Sequence, residues 1–222
     1  TYTVLNLNHL SGLSEPAPMP VNAWVSVSLK MDSMAQVIPV GNRLRLAIST
    51  QAWPLVWPAA RNMRIEVATE SVRLHLPVLN RPLEFLEQGK ENEAVLSPPP
   101  LSLIWERPVR RDRKVVTDQN GWTERNYLKD DGAYRIDEHG MMVDARGLLT
   151  YRSYRDDPLS AEAIYGYQIR QSRDHWNATV ECDLRVSCNA QRFRVKGEFR
   201  ALEDGGLVAD RPVDFKVQRR WV

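Results

Sequence analysis

The stretch "ATVECDLRVSC", residues 178–188, decides the fold. Val180, Cys182, Leu184, Val186 and Cys188 alternate with Thr179, Glu181, Asp183, Arg185 and Ser187. A period of two puts the first set on one face of an extended strand and the second set on the other. An apolar side backed by a charged one is the pattern of an antiparallel sheet with one face in water. The two cysteines share a face six positions apart, a span of about 20 Å at roughly 3.3 Å per residue. A disulfide needs Cα atoms within about 7 Å, so the pair cannot bridge. Two unpaired thiols favour a reducing compartment, and cytoplasmic is the expected location.

The same alternation extends outward in both directions. Downstream, "QRFRVKGEF" (191–199) sets Phe193, Val195, Gly197 and Phe199 on one side, "NAQ" and "EDGG" supply turns, and "RPVDFKVQRRW" reads as a closing strand. Upstream, "NAWVSVSL" (22–29) carries Val25, Val27 and Leu29 on its inner face, "RLRLAIS" (43–49) carries Leu44, Leu46 and Ile48, and "VRLHLPV" (72–78) carries Val72, Leu74, Leu76 and Val78. The turns between them, "SEPAPMP", "PVGN" and "ATES", are rich in Pro, Gly and Ser. A helix is hard to place: "DPLSAEAIYGYQI" (157–169) is the best candidate, with an ambiguous apolar spacing. The expected class is all-β, an antiparallel β-sandwich of jelly-roll type followed by a further antiparallel sheet region.

The charge distribution divides the chain. Residues 1–105 hold 8 Lys/Arg and 8 Asp/Glu, whereas residues 106–222 hold 22 and 20. Between them "EQGKENEAVLSPPP" ends in a triple proline that cannot enter a central strand. The expected organisation is a partial jelly-roll domain over 1–86, a Pro-rich linker over 87–105 and a charged antiparallel region over 106–222. The second half is dense in charge but nearly neutral, so salt-bridge ladders on a wet sheet face explain "RPVRRDRK" and "QRRWV" better than a nucleic-acid footprint does. No stretch reaches the roughly 18–20 apolar residues of a membrane-spanning helix, and no charged leader precedes an apolar core. The start at Thr1 rather than methionine suggests a piece of a longer chain.

Catalytic motifs are sparse. A hydrolase nucleophile elbow, G-x-S-x-G, does not occur. His9, His75, His139 and His175 have no second histidine or cysteine at a zinc-ligand spacing, so no metal or other cofactor is expected. Asp130, Asp131, Asp137 and Glu138 offer hard oxygen donors of the sort calcium takes, but their spacing does not match the twelve-residue acidic loop. Solvated turns are the better reading for them, and Asp156-Asp157-Pro158 reads as a turn or cap.

The first-half residues carry a resemblance. "YTVLNLNHL", then "VNAWVSVSLKMDSMAQVIPVGNRLRLAISTQAWPLVWPAA" and "VRLHLPV", resemble the C-terminal non-catalytic domain of the X-Pro dipeptidyl-peptidase and CocE/NonD group of serine hydrolases. The matching features are the Leu-Asn-Leu strand before a histidine, the Pro-x-Gly-x-Arg-Leu-Arg-Leu strand and the Trp-Pro repeat after it. Asn42 stands where the family commonly has histidine. The resemblance implies the later part of a galactose-binding-like jelly roll, with its first strands and the catalytic α/β-hydrolase domain lying before Thr1. It further implies an accessory role, stabilising that domain and helping to wall its pocket, with homo-oligomer contacts as an open option. The alternative is a carbohydrate-binding module that stacks sugars on Trp53, Trp57 and Trp24.

Trp53 and Trp57, each followed by proline, mark the exit from the 43–49 strand. Proline fixes φ and removes the backbone donor, so this segment leaves the sheet as a stiff corner with two large anchors. The expectation is an interface corner whose partner lies outside the chain, with at least one indole substantially exposed. His9, following the entry strand, is the third candidate for a pocket wall or domain interface.

Overall fold

A computed structural model describes residues 1–10, 12, 14, 16–79 and 100–219 of the 222. The chain is all-β, with two short 3-10 turns as its helical content among the described residues. Eight strands, β1 (Leu103–Arg107), β2 (Arg110–Thr117), β3 (Trp122–Ile136), β4 (Met142–Tyr154), β5 (Asp157–Arg173), β6 (Trp176–Cys188), β7 (Arg192–Glu203) and β8 (Gly206–Gln218), form one antiparallel sheet. From β3 to β8 each strand pairs with its successor, while β1 and β2 share the outer side of β3. The candidate helix at 157–169 is strand β5, paired along its length with β4 and β6.

Local turn chemistry sets this meander. Asp204 and Gly205 both have positive φ, 49° and 80°, the two-residue hairpin that Asp-Gly favours because its twist matches the flanking strands. Asn189 closes the β6–β7 turn by accepting from the Gln191 and Arg192 backbone N–H groups at 2.9 and 2.8 Å. The register that follows puts Tyr165, Leu184 and Gly197 in line, and Tyr167, Cys182 and Phe199 in line beside them. One face is therefore apolar and aromatic across β4–β8, and the other carries the ion pairs Arg185–Glu162, Arg194–Asp214 and Arg200–Glu181.

The acidic stretch at 130–131 is not a turn. It forms a bulge inside β3, where the register with β4 shifts between Asp130 and Gly132. Gly132 has φ +85°, and a Cβ there would lie 2.6 Å from both the Arg107 carbonyl oxygen and the Trp105 ring. The bulge re-aims both carboxylates toward cations: Arg107 bridges Asp130 and Asp144, while Arg111 and Lys129 flank Asp131. Asp137 and Glu138 do lie in a turn, where Glu138 accepts from the Ser102 N–H at 2.8 Å.

The first half departs from its expected architecture. Residues 22–29, 43–49 and 72–78 form no strand ladder among the described residues, and the "NLNHL" segment is a 3-10 turn at Leu7–His9 rather than a strand. Alternation specifies which face is apolar but not which strand is the partner, and isolated strands are marginal in water. Among the described residues the antiparallel sheet spans residues 103–218, where the further antiparallel region is expected. The stretch expected as a linker at 87–105 lies outside the described residues up to 99, and Leu103 already opens β1.

The described residues bury few large side chains. The buried apolar residues are Ala133, Val143, Ala145, Ala161 and Cys182, and no large side chain is fully buried among the described residues. The accessible surface is 18298 Å², against roughly 10,000 Å² for a compact monomer of this mass.

Candidate functional site

The Trp-Pro corner packs on one end of the sheet, where β4 ends, β5 begins, β6 ends and β7 begins. Ser49 Oγ accepts from the Gln51 N–H at 3.2 Å and donates to the Gln51 carbonyl at 2.8 Å, turning the chain as it leaves residues 43–49. The Val56 N–H then donates to the Ala52 carbonyl at 3.0 Å, and the Trp53–Pro54 bond is cis. This compact loop brings Trp53 and Trp57 edge to face, their centroids 4.9 Å apart. Trp53 meets Tyr151 of β4 at 5.3 Å and Trp57 meets Phe193 of β7 at 5.3 Å, both edge to face. Tyr151 in turn meets Tyr127 of β3 at 5.8 Å, so five rings run in a row across the sheet end. Such pairs contribute about 0.5–1.5 kcal/mol each beyond the area they bury.

Polar contacts fix the corner further. Trp57 Nε1 donates to Cys188 Sγ at 3.2 Å, and that sulfur lies 3.6 Å from the Leu159 carbonyl oxygen. Arg219, just past β8, is buried, and its guanidinium donates to the Pro58 carbonyl at 2.6 Å and the Asn189 carbonyl at 3.2 Å. It also lies over the Phe193 ring, 4.8 Å from the centroid. Burial pulls this guanidinium below its ordinary value, and the neighbouring Cys188 acts in the opposite direction. Asn62 adds a bond from its amide to the Asp156 carbonyl at 3.1 Å.

Part of each indole is thus covered from within the chain. Trp53 and Trp57 are each half-buried, against Tyr151 and Phe193, 98 and 136 positions further along, so neither indole is as exposed as the sequence predicts. Their edge-to-face contacts also leave no flat indole pair on which a sugar ring would stack. Trp24, the third member of that alternative, is 74% exposed. His9 is held by a local turn, its backbone N–H donating to the Asn6 carbonyl at 2.9 Å, and no ring or hydrogen-bond contact joins it to the indoles. Its Nδ1 is shielded from solvent without a hydrogen-bond partner among the described residues. The structure thus brings two of the three candidates together. Sequence reasoning missed Arg219, Phe193, Cys188 and Tyr151 as parts of the site.

Asp130 and Asp131 are occupied by cations of the chain itself. Burial pushes the Asp130 carboxyl up, but the Gly132 N–H, Arg107 and Arg146 outweigh it, and the net value lies below the ordinary carboxylate range. Both cysteines are free thiols; burial, then Asp183, raises Cys182 above the usual thiol value.

The segment that carries the corner is similar to a known domain. Residues 1–95 match the X-Pro dipeptidyl-peptidase C-terminal non-catalytic domain. The match confirms the resemblance over those residues and extends beyond the boundary at 86 expected from the sequence. Searches of curated proteins and of solved structures gave no match. Residues 1–95 are thus similar to the C-terminal non-catalytic domain of X-Pro dipeptidyl-peptidases, and the Trp-Pro corner lies within the matched stretch. The sheet of residues 103–218 lies beyond the match, and the corner, Arg219 and Asn62 are its contacts with the X-Pro dipeptidyl-peptidase-type segment. No helix among the described residues is long and apolar enough to cross a membrane.

Proposed function

We propose that this chain is the C-terminal accessory part of a CocE/NonD or X-Pro dipeptidyl-peptidase-like serine hydrolase. Cleavage of an acyl ester, amide or peptide bond belongs to an α/β-hydrolase domain preceding Thr1. The observation that carries this reading is the match of residues 1–95 to a domain described as non-catalytic. The open surface supports it: Val21 is 85% and Trp24 74% exposed, and the unpaired strand segments leave apolar positions such as Leu44, Ile48 and Val78 exposed. Apolar surface on this scale, at roughly 25 cal/mol per Å², favours burial against a neighbouring domain. Trp53, Trp57 and His9 would then serve the domain interface or the wall of the substrate pocket, and the two free thiols fit a cytoplasmic protein.

Purified as the 222 residues alone, the chain should hydrolyse neither p-nitrophenyl esters nor Xaa-Pro-anilides. Turnover that a serine-directed phosphonate abolishes would overturn the assignment.

A further inference from the structure

The charged face of the sheet, opposite the Trp-Pro corner, holds an arrangement that the accessory role does not use. Across β6, β7 and β8 the register sets Arg185 directly opposite Lys196, and Arg194 directly opposite Lys216. Ser187 pairs with Arg194, so its hydroxyl shares that face with the cations. Directly opposed side chains have Cβ atoms about 4.5–5.5 Å apart, and like charges at that spacing destabilise a sheet. Two such pairs side by side carry a cost that nearby carboxylates relieve only in part. Glu162 takes Arg185, and Asp214 takes Arg194 at 3.1 and 2.8 Å. Lys196 and Lys216 form no ion pair among the described residues, although both hold the Asp214 carboxyl down by their charge. Four cations thus meet Glu162 and Asp214, with Asp183 and Glu198 the next opposed pair along the same face, and Arg185, Ser187, Arg194 and Lys196 line a shallow depression.

We propose that this depression binds a tetrahedral oxyanion of the phosphate class, free or carried as a phosphate ester. Three cationic groups and one hydroxyl spaced on a sheet lattice match an anion with several acceptor oxygens and two negative charges. A guanidinium already engaged by a carboxylate still has N–H groups that point elsewhere, because its five donors fan out in one plane. Lys196 supplies a mobile ammonium, and Ser187 a hydroxyl that donates to an anion without adding charge. Charge-assisted bonds of this type are roughly twice as strong as neutral ones, and a bound dianion also removes the repulsion between the opposed cations. Elsewhere on this face Arg200 is already paired with Glu181.

The test is calorimetric titration of the whole 222-residue chain at low ionic strength with inorganic phosphate, phosphoserine and acetate, together with Lys196→Gln, Ser187→Ala and Lys114→Gln. Lys196→Gln leaves both arginine–carboxylate pairs intact and removes its repulsion with Arg185 together with its attraction to Asp214, directly opposite on β8, so its melting temperature without ligand should stay close to that of the wild type. Phosphate is expected to bind saturably, with Kd raised about tenfold by Lys196→Gln, equivalent to about 1.4 kcal/mol, and several-fold by Ser187→Ala. Lys114, on the remote strand β2, should change nothing. Tighter binding of phosphoserine than of phosphate would place the oxyanion on a larger ligand; the reverse order would favour the free ion. The proposal fails if no saturable heat is seen, if acetate binds as well as phosphate, or if Lys114→Gln weakens binding as much as Lys196→Gln does.

Discussion

Removing the Trp57 ring tests whether the corner joins the family segment to the sheet. Trp57→Ala deletes the edge-to-face contacts with Trp53 and Phe193, at 4.9 and 5.3 Å, and the donor to Cys188. Truncating a fully buried tryptophan costs about 3–5 kcal/mol, and this ring is half-buried, so about half of that range applies to packing. The lost hydrogen bond ends on a sulfur, a weak acceptor, and adds a few tenths at most. The expected destabilisation is about 2 kcal/mol, which for a chain of this size lowers the melting temperature by about 4–8 °C. The assay is thermal unfolding followed by circular dichroism, paired with the rate at which an aromatic disulfide reagent labels Cys188. In the wild type the sulfur lies under the indole and beside the Leu159 carbonyl. Trp57→Ala should therefore speed labelling of Cys188 severalfold and leave Cys182, which is buried beneath the sheet face, unchanged. Trp24→Ala is the matched control, because that ring is 74% exposed and makes no ring contact among the described residues. A melting temperature for Trp57→Ala within a degree of the Trp24→Ala value, with unchanged labelling, would refute the joint.

Two further outcomes follow from the β3 bulge. The Asp130 carboxyl has a lower value folded than unfolded, so its contribution to stability is present above the unfolded value, roughly pH 4, and is lost as pH falls through the folded one. Urea midpoints measured at pH 6 and pH 3 should converge between wild type and Asp130→Asn at the lower pH and separate at the higher; equal midpoints at both would show that the Arg107 and Gly132 contacts contribute nothing. Gly132→Ala should destabilise by more than the usual cost of a strand substitution, because the residue has φ +85° and the new Cβ meets backbone at 2.6 Å. Unchanged chemical denaturation of that variant would show that the bulge relaxes.

What the sequence made legible was face, not partnership. The alternation at 178–188 is strand β6 with its apolar and charged faces as read, and "NAQ" and "EDGG" are turns. At 157–169 Ile164, Tyr167 and Ile169 mixed two periods, because Ile164 sits on the charged face while Tyr165, Tyr167 and Ile169 share the apolar one. Only pairing with β4 and β6 distinguishes the two readings. The segments at 22–29, 43–49 and 72–78 show the limit more sharply, since their alternation is as regular as that of β6 and yet no ladder forms among the described residues. The Trp-Pro corner was legible as a stiff exit with anchors, but Cys188 and Arg219 lie 131 and 161 positions from the groups they bind, beyond the reach of any local pattern.

The two faces of the sheet now carry different work. On the apolar side, the row of rings ending at Phe193 and the buried Arg219 hold the non-catalytic family segment, so a force applied to that segment is transmitted to β4, β6 and β7. On the charged side, the depression at Arg185, Ser187, Arg194 and Lys196 lies on β6 and β7 as well, so the same two strands present both surfaces. Cys188 and Ser187 are consecutive residues that point to opposite faces, one under the Trp57 indole and the other among the cations. An anion that straightens or tightens the end of β6 therefore acts on a strand whose next side chain supports the corner. Coupling between the two sites would require that tightening to have two discrete arrangements, and the reciprocity of binding free energies makes the requirement measurable. If phosphate slows labelling of Cys188 in the wild type, then releasing the corner by Trp57→Ala must weaken phosphate by a matching factor, and independent effects would leave β6 a scaffold shared by two unrelated surfaces.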